Sequence, residues 1–132
     1  MEGGLGCPPL RDEELLTVGD GGVWTNLDDL VRWDAALRGD KLLKPATWKL
    51  ALTPSKTRDG KTNAYGCGWS LGLDDAGAVT DYGHGGNWNG FRTVIDRSIP
   101  ADRLIVVLSN RGNFDADSFV EATIMALAKG RP

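Results

Sequence analysis

Histidine is nearly absent from this sequence: His84 is the only one in 132 residues. Cysteine is almost as scarce, with Cys7 and Cys67 alone and no Cys-x-x-Cys pair. One histidine and two such cysteines are too few for a standard zinc site, so no metal centre is expected. Their spacing says nothing of their distance, so a disulfide does not follow from it. No apolar stretch approaches the roughly 20 residues of a membrane span. The longest, Leu104 to Leu108, is strand-sized. Basic clusters are missing too, and the net charge is −3, which argues against a nucleic-acid partner. The opening residues Met1 to Gly6 lack the basic and apolar regions of a signal peptide, and the compartment stays open. Nothing calls for a cofactor. What remains is 41% apolar and 25% charged, ordinary for a globular chain able to bury a core.

The elements are legible in order. Residues 1 to 18 carry Pro and Gly with little periodicity and read as an extended lead-in. Asp20-Gly21-Gly22 is a turn, after which Thr25 and Asp28 give a T-x-x-D capping pattern. Leu27, Leu30, Val31 and Leu37 recur at helical spacing until Gly39 stops the helix. Pro45 suits the first turn of a second, shorter helix that ends before Pro54. Residues 55 to 63 read as a solvated loop. The period then changes to two. Strands are expected over 65–73, 78–84, 91–99 and 103–109, with Pro100-Ala101-Asp102 as a tight turn that makes the last pair antiparallel. Ser118 and Glu121 form an S-x-x-E box ahead of a helix with Val120, Ile124 and Leu127 on one stripe.

The fold class is therefore α+β: an antiparallel sheet of about four strands, a C-terminal helix on one face, and two N-terminal helices. Residues 1–63 form the lead-in and helical part, and 64–132 the sheet with its closing helix. Leu104 to Leu108 is apolar on both faces, so both sides of that strand need a cover. The C-terminal helix supplies one. The N-terminal helices, or a region outside this chain, must supply the other.

Chemistry concentrates around His84, in Tyr82-Gly83-His84-Gly85-Gly86-Asn87-Trp88-Asn89-Gly90-Phe91. Glycines let the backbone pass close to another group while one titratable side chain points into the same space. Trp24, Trp33, Trp48 and Trp69 are read as packing residues. Trp88, between two asparagines, divides evenly between packing and lining a cleft. Asn110 ends the apolar strand and can simply terminate it. The acid pairs Asp28-Asp29 and Asp74-Asp75 serve a helix start and a turn.

Four stretches in this order and spacing resemble the C-terminal part of the serine β-lactamase and penicillin-binding-protein family, in its class C β-lactamase, D-aminopeptidase and esterase branch. They are Gly21-Gly22-Val23-Trp24-Thr25 leading to Asp29-Leu30, Tyr65-Gly66-Cys67-Gly68-Trp69, His84-Gly85-Gly86 followed by Asn89-Gly90-Phe91, and Val106-Val107-Leu108-Ser109-Asn110. The resemblance implies a partial β-lactamase/transpeptidase-like fold. It also implies a site built from Ser-x-x-Lys, a Tyr-x-Asn or Ser-x-Asn loop, and a Lys-Thr-Gly triad. His84-Gly85-Gly86 stands at the triad, with His84 where lysine is more usual.

By that resemblance His84 supplies a hydrogen bond or positive charge toward the tyrosine side of the site and the substrate's carboxylate. Gly86 keeps the strand clear for substrate. The Asn87 N–H is one of two oxyanion-hole donors. Trp88, Asn89 and Asn110 are the substrate-binding candidates. The other two motifs are missing. None of the five serines, at 55, 70, 98, 109 and 118, has lysine three residues on; Ser55 comes nearest, with Arg58. Tyr65 and Tyr82 are followed two residues later by Cys67 and His84, and no Gly-x-Ser-x-Gly elbow exists.

Two functions are therefore carried forward. In the first, this chain is the incomplete, C-terminal part of a larger serine hydrolase acting on β-lactams, D-amino-acid peptides or small esters. It is inactive alone and partnered by the missing N-terminal region or a second copy. In the second, it is a non-catalytic binding module that keeps the cleft wall.

Overall fold

The computed structural model describes residues 21–130. The lead-in expected over 1–18, with Cys7 and Asp20, lies outside them. The element order is α1 (Leu27–Arg38), α2 (Pro45–Ala51), β1 (Ser55–Lys56), β2 (Thr62–Asn63), β3 (Ser70–Leu73), β4 (Val79–Trp88), β5 (Phe91–Ser98), β6 (Arg103–Ser109) and α3 (Ala116–Lys129). The last four strands make one antiparallel sheet in the order β3-β4-β5-β6. The fold is α+β, with α1 and α2 on one face of the sheet and α3 on the other.

Helix starts fall at different residues from those expected. The cap of α1 is Asn26, not Thr25: its side-chain oxygen accepts from the Asp29 N–H at 2.9 Å, and its amide donates to the Asp29 carboxylate at 2.8 Å. Asn is the stronger cap of the two, and it closes the reciprocal pair that Thr25 cannot. In α3 the cap is Asp115 rather than Ser118. Its carboxylate accepts the Ser118 N–H at 3.0 Å and the Ser118 hydroxyl at 2.7 Å, which holds Asp115 below the ordinary aspartate range. Gly39 stops α1 as expected, its N–H returning to the Ala35 carbonyl.

The inward face of α1 also departs from the simple apolar stripe. Leu27 and Val31 are 51% and 54% exposed, whereas Asp34 is only 3% exposed. Leu30, Asp34 and Leu37 share a face at helical spacing, and the middle position is a carboxylate. Asp34 can sit there because it is paired: Arg38 donates to it at 2.9 Å, and the Arg97 guanidinium of β5 lies 3.9 Å away. Arg97, itself buried, also donates to Asp102 in the β5–β6 turn. A buried charge without such partners would cost several kcal/mol.

Two cores flank the sheet. Leu37, Trp69, Leu71 and Tyr82 pack with Trp48, Leu52 and Ile95 under α1 and α2. Val94, Val107, Ala116 and Val120 pack with Ile105, Phe114 and Ile124 under α3. Trp69 is the hub of the first core: its ring meets Trp33 at 5.6 Å, Trp48 at 6.0 Å and Tyr82 at 5.1 Å. Trp24 is the most exposed of the four, at 73%, with an edge contact to Phe91 at 6.1 Å. The second face of β6 is covered in part, since Leu104 and Val106 are half-buried while Leu108 is 39% exposed.

Two loops turned out to contain strand. Residues 55 to 63 form the small exposed hairpin β1–β2, whose turn runs over Arg58-Asp59 and closes with Gly60 at φ +83°. More important for the site, β4 does not stop at His84 but runs to Trp88. There Asn89-Gly90 reverses the chain into β5, with Gly90 at φ +87°.

The start of β3 is fixed by a turn. Gly66 N–H donates to the Trp69 carbonyl at 2.8 Å, and Cys67 N–H to the Ala51 carbonyl at 2.9 Å. A Cβ on Gly66 would be driven into that same Ala51 oxygen. Gly66→Ala should therefore cost about 1–3 kcal/mol of stability. Gly21→Ala, where an added Cβ meets nothing within 4 Å, should stay within about 0.5 kcal/mol. Urea unfolding of the two variants checks this; equal midpoints would contradict the packing described.

Candidate active site

The site is built on the part of β4 that β3 does not reach. β3 pairs with β4 from Leu73↔Val79 to Ser70↔Gly83 and then ends, while β5 continues opposite β4 from His84↔Ile95 to Trp88↔Phe91. Beyond Gly83, then, β4 has one partner strand among the described residues.

Backbone alternation decides which groups face the open side. The Ile99 N–H donates to the Thr80 carbonyl at 2.8 Å, and the hairpin closes on Trp88↔Phe91 across two residues. Both features mark the even-numbered residues of β4 as the hydrogen-bonded pairs with β5. Tyr82, His84, Gly86 and Trp88 thus turn their N–H and C=O toward β5. Gly83 turns its own toward β3, and Gly85 and Asn87 turn theirs to the unpaired edge.

Side chains sort in the same way. His84, Gly86 and Trp88 stand on the α1/α2 face with Tyr82, while Asn87 stands on the α3 face. It is the backbone of Asn87, not its side chain, that meets the edge.

His84 is exposed, so burial does not orient it; two hydrogen bonds do. Its Nδ1 lies 2.6 Å from the Gly85 carbonyl oxygen and its Nε2 lies 3.0 Å from the Tyr65 hydroxyl. The two rings meet edge to face at 6.1 Å and 72°. A carbonyl only accepts, so Nδ1 carries a proton. Gly86 leaves room beside Thr93, its cross-strand partner; a Cβ there would collide with the Thr93 hydroxyl. Trp88 lines the same face at the hairpin end, half-exposed and opposite Phe91.

The remaining expected residues sit differently. Asn89 forms the two-residue turn, which gives it a structural task there. Asn110 follows Ser109, whose partner is Arg92 on β5. It lies two strands across from β4 and four residues along from His84, so the structure does not bring it to the His84 edge. Sequence reading missed Tyr65 as a neighbour of His84. Its only signal was its place at the head of Tyr65-Gly66-Cys67-Gly68-Trp69.

No group of three His, Cys, Asp or Glu among the described residues could hold a metal ion, and no helix among them is long and apolar enough to cross a membrane. Cys67 is an exposed free thiol, at the rim of an apolar hollow lined by Trp33, Trp48 and Trp69. That hollow and a second one beside Tyr82 and Arg97 do not include His84. The His84 region is an open wall.

An antiparallel four-stranded sheet with helices on both faces fits a β-lactamase/transpeptidase-like fold. Comparison with known proteins agrees. The Beta-lactamase family profile matches residues 2–129, and this chain belongs to that family. It is 32% identical over 112 residues to penicillin-binding protein 4* of Bacillus subtilis (strain 168), covering 84% of this chain and 24% of that protein. It is also similar to a penicillin binding protein from Bacillus halodurans in its crystal structure, with a TM-score of 0.61 and 25% identity. That match covers 76% of this chain and 29% of the other. The chain spans about a quarter of the length of the curated relative it matches.

The alternation on β4 can be read directly by amide hydrogen exchange. Gly86 and Trp88 should be protected and Gly85 and Asn87 should exchange quickly. Equal protection of all four would mean that the edge is paired.

Proposed function

We propose that this chain is one wall of a serine acyl-hydrolase site acting on β-lactams, D-amino-acid peptides or small esters. The observation that carries the reading is the β4 edge, unpaired among the described residues, where the Asn87 N–H is directed outward beside His84 and Gly86. An N–H so placed, fixed by the ladder behind it, can stabilise the negative oxygen of a tetrahedral intermediate without reorganising. His84 orients the substrate and stabilises charge, Gly86 keeps the face open, and Trp88 lines the end of the cleft.

The nucleophile belongs elsewhere. A Ser-x-x-Lys helix and a Tyr-x-Asn loop, supplied by another region of the same protein or a second copy, would attack the carbonyl and move the proton. Val23, Trp24, Leu27, Val31 and Leu108 support this, because they leave apolar side chains exposed on α1, its approach and β6. The same exposure disfavours a self-sufficient binding module.

The test has two arms. The 132-residue chain alone, given a chromogenic cephalosporin and a p-nitrophenyl ester, should show no turnover above buffer. Turnover that disappears in His84→Ala would overturn the need for a separate nucleophile. In the second arm this chain replaces the matching segment of the Bacillus subtilis relative. The chimera should hydrolyse at least one of these substrates, and His84→Ala should lower kcat/KM by about 100-fold. A chimera that is inactive, or equally active without His84, would overturn the reading.

A further inference from the structure

We infer that Tyr65 is the positioning residue of His84: it holds the ring by the nitrogen that the main chain does not use. The inference rests on the reading of His84 as part of the cleft wall, and it goes beyond it by assigning a task to a second side chain. An exposed imidazole has no packing to fix it and would otherwise sample several rotamers.

Here each nitrogen has a partner of a different kind. The Gly85 carbonyl at 2.6 Å takes the Nδ1 proton. In the neutral ring that leaves Nε2 bare, and the Tyr65 hydroxyl at 3.0 Å is the donor that fills it. When Nε2 gains a proton the phenol can turn and accept, because a hydroxyl does both. One partner therefore keeps the ring in place in both charge states. In the neutral state His84 offers the substrate no free N–H. Once charged it donates through Nε2 to Tyr65, and it acts on the substrate through its positive charge.

The phenol can do this because its own backbone is fixed on both sides. Tyr65 N–H donates to Asn63 at 2.7 Å, its carbonyl accepts from Ser55 N–H at 3.0 Å, and the following Gly66 is pressed against Ala51. Tyr65 also bridges to Ser70, the residue at which β3 begins. The same turn thus opens the β4 edge and delivers the hydroxyl to it.

Because the chain has a single histidine, its two ring nitrogens can be observed without ambiguity by long-range ¹H–¹⁵N NMR. At mildly alkaline pH the full chain should show Nδ1 protonated and Nε2 bare. Tyr65→Phe keeps the ring and removes only the oxygen. The two nitrogen signals should then move toward each other as the imidazole exchanges between tautomers, with the tryptophan indole signals unchanged. A wild-type ring protonated at Nε2 would overturn the inference, and so would nitrogen signals unmoved in a folded Tyr65→Phe. Should that variant fail to fold, a Tyr65 hydroxyl proton coupled to Nε2 in the wild-type chain carries the test, and an averaged, rapidly exchanging hydroxyl overturns it. An inactive chimera with this tautomer intact would count against the proposed function and leave the Tyr65 assignment standing.

Discussion

The turn that closes the Gly66 N–H onto the Trp69 carbonyl at 2.8 Å is the constraint on which the site depends. It swings Trp69 into the aromatic core against Tyr82 and lets β3 start only at Ser70, so beyond Gly83 β4 has β5 as its one partner strand among the described residues. Had β3 continued, Gly85 and Asn87 would have spent their backbone groups on a neighbouring strand. The missing pairing is useful because the rest of the ladder is intact. Every outward N–H is held by an inward one on the next residue, and unpaired edges that do no work are normally covered or blunted.

The charge arrangement under α1 shows the same economy. Asp34 and Arg97, both buried, and the exposed Asp102 connect α1, β5 and the β5–β6 turn. Removing either buried partner would leave the other charge uncompensated, so the pair ties α1 to β5. Leu27 and Val31, on the other side of α1, stay exposed among the described residues.

Much of this was legible in the residues. The helices, the β5–β6 hairpin and the doubly apolar β6 followed from periodicity, capping and turn chemistry, and the four family-like stretches pointed to the fold. Three things were hidden for physical reasons. Gly83 to Gly86 has almost no side chains to alternate, so the strand signal faded at His84 although the backbone stays extended to Trp88; the Asn89-Gly90 pair was the unused clue. Asp34 interrupts an apolar stripe, and a count of apolar residues passes over a carboxylate whose partner is distant in sequence. Tyr65 and His84 are 19 residues apart and meet only because a turn brings the chain back, which no local pattern records.

On the proposed function, the open edge of β4 receives the developing negative oxygen of an acyl substrate. This is tested most directly by the structure of the chimera trapped as its penicillin acyl-enzyme. The acyl carbonyl oxygen should lie within hydrogen-bond distance of the Asn87 N–H, with the substrate along the β4 edge beside His84 and Gly86. An acyl oxygen directed away from that edge, with Asn87 N–H bonded only to water, would contradict it.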